Sequence, residues 1–171
     1  MQKRVFIDPR KCIGCKACEV ACALEHEGHS LINVYLVEVA HIAVPLNCRH
    51  CEKAPCMAIC PTDAIKRDYD GAVIIDYTRC IGCGLCNIVC PFGIPELHKE
   101  FKVVIKCDMC AHRRAKGLLP VCVETCPTDA LSFGLVEEYE KAKREKAALR
   151  IATEAKGGEP SKETKIYFGL K

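Results

Sequence analysis

The sequence predicts an α+β fold in which one small unit is laid down twice and followed by a helix and a short terminal strand, and three observations predict it. First, sixteen cysteines in 171 residues fall into four groups of four: Cys12, Cys15, Cys18, Cys22; Cys48, Cys51, Cys56, Cys60; Cys80, Cys83, Cys86, Cys90; and Cys107, Cys110, Cys122, Cys126. Second, the groups repeat. Residues 7–22, IDPRKCIGCKACEVAC, are nearly restated by residues 75–90, IDYTRCIGCGLCNIVC, and CPTDAI at 60–65 is restated by CPTDAL at 126–131. The motif order is therefore A, B, A′, B′, a duplication of a two-motif unit. Third, short apolar alternations flank the motifs. Residues 5–7 and 73–75 precede A and A′, while Ile65 and residues 131–133 follow the CPTDA turns. They are read as strands, each returning strand lying beside the first strand of its copy.

The A motifs read CxxCxxCxxxC, the spacing by which a chain wraps thiolates round a cubane iron–sulfur cluster, and all four groups end in CxxxC. Two residues between cysteines let one tight turn aim successive sulfurs at different irons of one cluster. The fourth cysteine, three residues on, is directed to another cluster, so motifs are expected to work in pairs that exchange their last cysteines. Gly14 and Gly82, each inside CIGC, remove a side chain where backbone amides approach sulfide. Proline follows three groups, as Pro61, Pro91 and Pro127, and bends the chain away from the ligand; Ala23 stands in the first. Four 4Fe-4S clusters and an electron-moving chain are the reading. A disulfide scaffold has no need for such regular steps in a chain long enough for an ordinary core. Zinc is the stronger rival, but a zinc ribbon uses two CxxC knuckles and has no call for a third step and CxxxCP.

Length gives about one domain, and because cysteines inflate the apolar fraction, the clusters must replace part of the core. Metal binding then becomes folding free energy, so the apoprotein is expected to be poorly folded. The formal charge of +3 would ordinarily point to acidic surfaces. Four clusters at about −2 each with their ligands bring the loaded chain to about −5, so the basic residues read as counter-charge. No basic stripe with interleaved aromatics and no tryptophan is present, which argues against nucleic acid. No apolar run reaches membrane-spanning length and the N-terminal MQKRVFIDPRK has no apolar signal region, so a cytoplasmic protein is expected.

Along the chain, residues 16–23 and 85–89 are helix-compatible, with Val20 and Val89 expected to shield clusters from water. An insertion at about 23–47 alternates over 32–44 as a strand or hairpin, read as packing over a cluster or as a partner-docking element. Its His26, His29 and His41 are assigned surface or hydrogen-bonding roles, whereas His50 and His112, beside Cys51 and Cys110, are candidates for tuning potential through bonds to the ligands. Motif B′ stretches its middle gap to AHRRAKGLLPV, in which Arg113, Arg114 and Lys116 read as a solvated loop that also faces an anionic cluster or an acidic partner. The four-cluster region spans 1–135. Residues 136–155 then lose cysteine, glycine and proline and form an amphipathic helix, with Tyr139, Ala142, Leu149 and Ala152 near one face, packing on the core or a partner. The tail 165–170, KIYFGL, reads as a short docked strand, completing a C-terminal region of 136–171.

Two copies of CIGCxxCxxxC alternating with CRHCEKAPCMAICPTDAI and CDMCAHRRAKGLLPVCVETCPTDAL resemble the four-cluster electron-transfer subunits of the DMSO reductase and formate dehydrogenase superfamily, including those of hydrogenase and carbon monoxide dehydrogenase complexes. The resemblance covers about residues 6–133. It implies two bacterial-ferredoxin-like modules related by pseudo-twofold symmetry, with the first motif paired to the fourth and the second to the third. The implied ligand sets are Cys12, Cys15, Cys18 and Cys126; Cys107, Cys110, Cys122 and Cys22; Cys48, Cys51, Cys56 and Cys90; and Cys80, Cys83, Cys86 and Cys60. It implies a non-catalytic relay of single electrons for a molybdenum or tungsten catalytic subunit of formate dehydrogenase type, linked to another redox subunit such as a hydrogenase. A nickel carbon monoxide dehydrogenase or hydrogenase system is the alternative partner, and further iron–sulfur subunits or copies of the chain are possible neighbours. The membrane-attached branch adds a C-terminal span that this sequence does not show, so delivery to quinone would need another subunit. From a different class, a zinc-bound interaction protein or a maturation accessory factor is the alternative.

Overall fold

The computed structural model describes residues 2–155. Strand β1 (Lys3–Ile7) leads into motif A and helix α1 (Ala17–Glu25), followed by strands β2 (Ile32–Val37) and β3 (Ile42–Asn47). Motif B carries the short helix α2 (Pro55–Ala58), and strands β4 (Ile65–Arg67) and β5 (Val73–Ile75) lead to motif A′ with helix α3 (Leu85–Ile88). Strands β6 (Glu96–Leu97) and β7 (Val104–Ile105) precede motif B′, which contains helices α4 (Ala111–Arg114) and α5 (Val121–Glu124). Strand β8 (Leu131–Leu135) runs directly into helix α6 (Val136–Ala155).

Four two-stranded antiparallel sheets result among the described residues. The duplication predicts the strand pieces but not their partners. Strand β8, the end of the second copy, pairs with β1 from the start of the first, with Lys3 opposite Leu135 and Ile7 opposite Leu131. Strand β4, the end of the first copy, pairs with β5 of the second, with Ile65 opposite Ile75. The strands therefore exchange between copies, which corrects the within-copy pairing expected from the repeat. The chemistry of the connection explains it: three-residue strands hold few ladder bonds, and β4 meets β5 through a tight turn closed by Asp68 and Gly71 (φ +86°).

Two modules follow, each with a sheet, a helix from an A motif and a helix from a B motif, and each with its own core. Val5, Ile32, Val34, Ala72, Met109 and Leu131 pack around Cys18, Cys22 and Cys122. Ala54, Ile65, Val73 and Val104 pack around Cys86. The insertion is a hairpin, β2 against β3 with Ile32 opposite Asn47, and it lies against the first module.

The missing proline after motif A has a visible consequence. Ala23 lets α1 run for nine residues to Glu25, whereas Pro91 in motif A′ leaves α3 with four. Helix α6 forms as expected but touches the core only at its start. Tyr139 stacks on Phe6 at 3.8 Å and the Val136 N–H donates to the Gln2 carbonyl, while Leu149 and Ala152 are exposed. The expected 165–170 strand lies outside the described residues. Among the described residues no helix is long and apolar enough to cross a membrane.

Candidate iron–sulfur sites

All sixteen cysteines are free, which removes the disulfide reading. Each motif aims its first sulfurs by the same backbone device. The residue before the second cysteine of each motif is left-handed: Gly14 at φ +70°, His50 at +45°, Gly82 at +66° and Met109 at +58°. Outside glycine this conformation costs about 1–2 kcal/mol, and His50 and Met109 are held in it by full burial. The turn folds N–H groups back onto sulfur, as where the Met109 N–H donates to Cys107 Sγ at 3.5 Å. Glycine at position 82 answers a further constraint, since a Cβ there would meet the Lys102 carbonyl oxygen at 2.0 Å.

The CPTDA turns aim the fourth sulfurs. Asp63 and Asp129 are left-handed at +49° and +50°, a conformation aspartate tolerates. Burial works to raise the Cys60 thiol, but the N–H groups of Thr62, Ala64 and Ile65 outweigh it and hold the thiol below its ordinary value. Burial likewise opposes, and the N–H groups of Thr128, Leu131 and Ala130 overcome it, at Cys126.

The result is that cysteines from different motifs converge. Cys12, Cys15 and Cys18 line one pocket with Cys126, together with Val34 and Pro45 of the insertion hairpin. Cys80, Cys83 and Cys86 line another with Cys60, walled by Ile65, Ile75 and Val104. Of the remaining cysteines, Cys22, Cys107, Cys110 and Cys122 are buried. Burial raises Cys122 well above the ordinary thiol range, and negative charge on Cys107, Cys110, Cys22 and Cys18 adds to it. Burial also raises Cys56, with Cys48 and Cys90 adding to the shift. In the first module burial pushes Cys18 and Cys110 up to about 11 and Cys107 higher still.

An all-sulfur donor set in four fours, cavities walled by apolar side chains, and N–H groups aimed at sulfur fit 4Fe-4S clusters. Further donors are the Leu31 N–H to Cys22 Sγ at 3.3 Å and the Val104 N–H to Cys80 Sγ at 3.4 Å.

Several side chains stand elsewhere than expected. Val20 is 61% exposed and shields nothing; Val34, Pro45 and Val104 do that work. The insertion thus packs over a site. His112 Nε2 lies 2.6 Å from Glu25 rather than near a sulfur. His50 is buried, its Nδ1 accepting from the Val73 N–H at 2.9 Å, so the proton sits on Nε2, which has no protein partner. His26 Nε2 is 3.6 Å from Cys110 Sγ. Arg113 and Arg114 do not form a solvated loop. Arg113 pairs with Glu25 and Glu124, and buried Arg114 binds Asp68 and Asp70, each at 2.5 Å, in the β4–β5 turn. Lys116 alone of the three is exposed.

Two contacts to sulfur escaped the sequence reading. Lys106 Nζ lies 3.9 Å from Cys48 Sγ and Asn47 Nδ2 lies 4.0 Å from Cys107 Sγ. The available signal was a lysine closing the apolar run VVI immediately before a CxxC step.

Residues 39–136 match the 4Fe-4S dicluster domain family and residues 3–24 the 4Fe-4S binding domain family. The sequence is 45% identical over 145 residues to the thiosulfate reductase electron transfer subunit PhsB of Salmonella typhi, covering 78% of this protein and 76% of that one. It is 35% identical over 161 residues to the B subunit of the anaerobic dimethyl sulfoxide reductase of Escherichia coli, covering 84% and 78%. It is 38% identical over 172 residues to an iron–sulfur protein of Rhodospirillum rubrum, covering 86% and 90%.

Proposed function

This chain belongs to the 4Fe-4S dicluster domain family, with relatives among the iron–sulfur subunits of reductases, and from that premise we propose that it is the non-catalytic electron-transfer subunit of an oxidoreductase complex. It carries four 4Fe-4S clusters. Such clusters, when bound, supply one-electron transfer, and the catalytic chemistry belongs to another subunit.

The chain's residues fix where the sulfurs lie and what surrounds them. We assign the clusters to Cys12, Cys15, Cys18 and Cys126; Cys80, Cys83, Cys86 and Cys60; Cys48, Cys51, Cys56 and Cys90; and Cys107, Cys110, Cys122 and Cys22. The observation that carries the assignment is the pair of cavities in which three cysteines of an A motif meet the last cysteine of a B motif. That Cys22 and Cys122 share the first core supports the set with Cys107 and Cys110, and the repeat extends the same crossed pairing to Cys48, Cys51, Cys56 and Cys90. Val34, Pro45, Ile65 and Val104 exclude water, and the N–H groups of the CPTDA turns stabilise negative charge on Cys60 and Cys126.

The partner we propose is a molybdenum or tungsten catalytic subunit. The sequence resemblance pointed to one of formate dehydrogenase type, with a hydrogenase beyond it. The names of the relatives favour instead a reductase of a small sulfur compound. The native complex, isolated without oxygen, tests both levels. About sixteen iron per chain, beyond the iron of other subunits, is expected for four cubanes, together with molybdenum or tungsten and reduction of thiosulfate or a sulfoxide by a viologen donor. Formate oxidation would return the partner to the formate dehydrogenase type. Nickel would replace the proposed partner with a carbon monoxide dehydrogenase or hydrogenase. Zinc at about four per chain with little iron would overturn the relay itself.

A further inference from the structure

Lys106 is a buried cation without a carboxylate. It is 3% exposed, and among the described residues it makes no ion pair with aspartate or glutamate. Lysine is rarely buried unless paired, because an isolated ammonium loses its hydration. Its three donors nevertheless have three acceptors: the Val73 carbonyl, the Cys107 carbonyl at 3.1 Å and Cys48 Sγ at 3.9 Å. The one acceptor of these three that can carry full negative charge is the sulfur.

The contact has a mate. Asn47 and Lys106 occupy the same place in the repeat, each immediately before the first cysteine of a B motif. Each reaches across to the other motif's sulfur, Lys106 to Cys48 and Asn47, 1% exposed, to Cys107. The duplicated positions therefore cross between the two modules, and they differ in charge. An ammonium faces the Cys48 set, and a neutral amide faces the Cys107 set. Reduction adds one negative charge to a site. A fixed cation near the ligand sulfur favours that added charge, and burial disfavours it. Cys22, Cys107, Cys110 and Cys122 are all buried, whereas Cys48, Cys51, Cys56 and Cys90 are all partly exposed, so both effects act in the same direction.

We propose that Lys106 is a tuning residue at the junction of the two modules, and that its ammonium sets the reduction potential of the site formed by Cys48, Cys51, Cys56 and Cys90 above that of the site formed by Cys22, Cys107, Cys110 and Cys122. The inference rests on the four-cluster assignment above. It gives electrons crossing between modules a downhill direction toward the Cys48 set.

The test is an anaerobic redox titration of the cluster-loaded chain in its complex, followed by electron paramagnetic resonance. Cys56→Ser and Cys122→Ser, each altering one site, assign the signals. In the wild type the Cys48 site is expected to titrate at the higher potential; the reverse order overturns the proposal without recourse to any Lys106 variant. Lys106→Met is expected to weaken reduction of the Cys48 site at least tenfold, 59 mV for a one-electron couple, with smaller shifts at the other three, and Lys106→Arg is expected to restore it. Equal shifts at all four sites, or none with four clusters retained, would also overturn it. A wild-type preparation without four clusters would instead remove the assignment on which the inference rests.

Discussion

The two modules contain the same parts and differ in how the chain reaches them. The second is continuous in sequence: α2, β4, β5 and α3 follow one another, and β4 turns straight into β5. The first is stitched from both ends, with β1 and α1 from the start of the chain and α4, α5 and β8 from near the end of the described residues. Closing it requires bringing together residues more than a hundred positions apart, an entropic cost that the local module does not meet. The stitched module is also the better covered. Five of its eight cysteines are buried against one, Cys86, in the other, because the β2–β3 hairpin, the longer α1 and the α4–α5 segment all lie on it. One duplicated unit has thus yielded a deep site pair and a shallow one, and the additions to the repeat made the difference.

The strongest way to break this arrangement is to remove what ties the modules together. Arg114 of the stitched module enters the β4–β5 turn of the continuous one, between Asp68 and Asp70, and Lys3 binds Asp70 from β1 at 2.9 Å. Arg114→Met leaves the half-buried Asp68 without its cation and the buried Asp70 with Lys3 alone, and is expected to cost about 3–5 kcal/mol, read as earlier cluster bleaching in denaturant. Unchanged bleaching would mean the modules hold without the clamp. Burial works to raise the Asp70 carboxyl, but Lys3 and Arg114 outweigh it and hold it below the ordinary value. Its contribution is therefore complete above the ordinary aspartate range and fades as pH falls through the lowered value. The stability gap between wild type and Lys3→Met should stay constant from pH 8 to about 5 and close only below about 4. A gap that closes between pH 8 and 6 would place the titration elsewhere.

The contrast between α1 and α3 predicts a smaller effect. Ala23→Pro would put the proline of the other motifs inside a nine-residue helix and is expected to cost about 3 kcal/mol, whereas Pro91→Ala should be nearly neutral. Equal losses would show that the proline serves the ligand turn rather than helix length. The matched glycines differ in what stands against them. Gly82→Ala drives a Cβ into the Lys102 carbonyl, while at Gly14 it would meet only the Leu36 and Ala43 side chains, at 3.2 and 3.3 Å. Overpacking on top of the left-handed turn should cost about 2–3 kcal/mol at Gly82 and about 1–2 at Gly14, seen as selective loss of the continuous module's cluster signal. The smallest effect belongs to the helix. Tyr139→Ala removes its ring stack on Phe6 and should cost about 1 kcal/mol, leaving the cluster spectra unchanged.

The grouping of the cysteines and the repeat were legible because thiolate geometry dictates spacing, and spacing is local. Partners were not. Residues 65–67 and 131–135 read as strands, but three to five residues carry no mark of which neighbour they join, so the exchange between copies needed the structure. Arg114 read as solvated because its carboxylates lie in a turn distant in sequence. Val20 read as a shield because helix position alone does not say which face the insertion covers. The insertion, by contrast, was visible in its alternation as a strand or hairpin, and the missing proline at Ala23 was visible without its consequence for the length of α1.

The central claim is that sulfurs pair across the copies, the last cysteine of B′ with the first three of A. Electron paramagnetic resonance of the reduced, cluster-loaded chain tests it through three single variants, Cys18→Ser, Cys110→Ser and Cys126→Ser. Cys126→Ser and Cys18→Ser are expected to alter the same one of four signals, and Cys110→Ser a different one. If Cys126→Ser changed the signal that Cys110→Ser changes, each motif would hold its own cluster and the crossed pairing would be wrong.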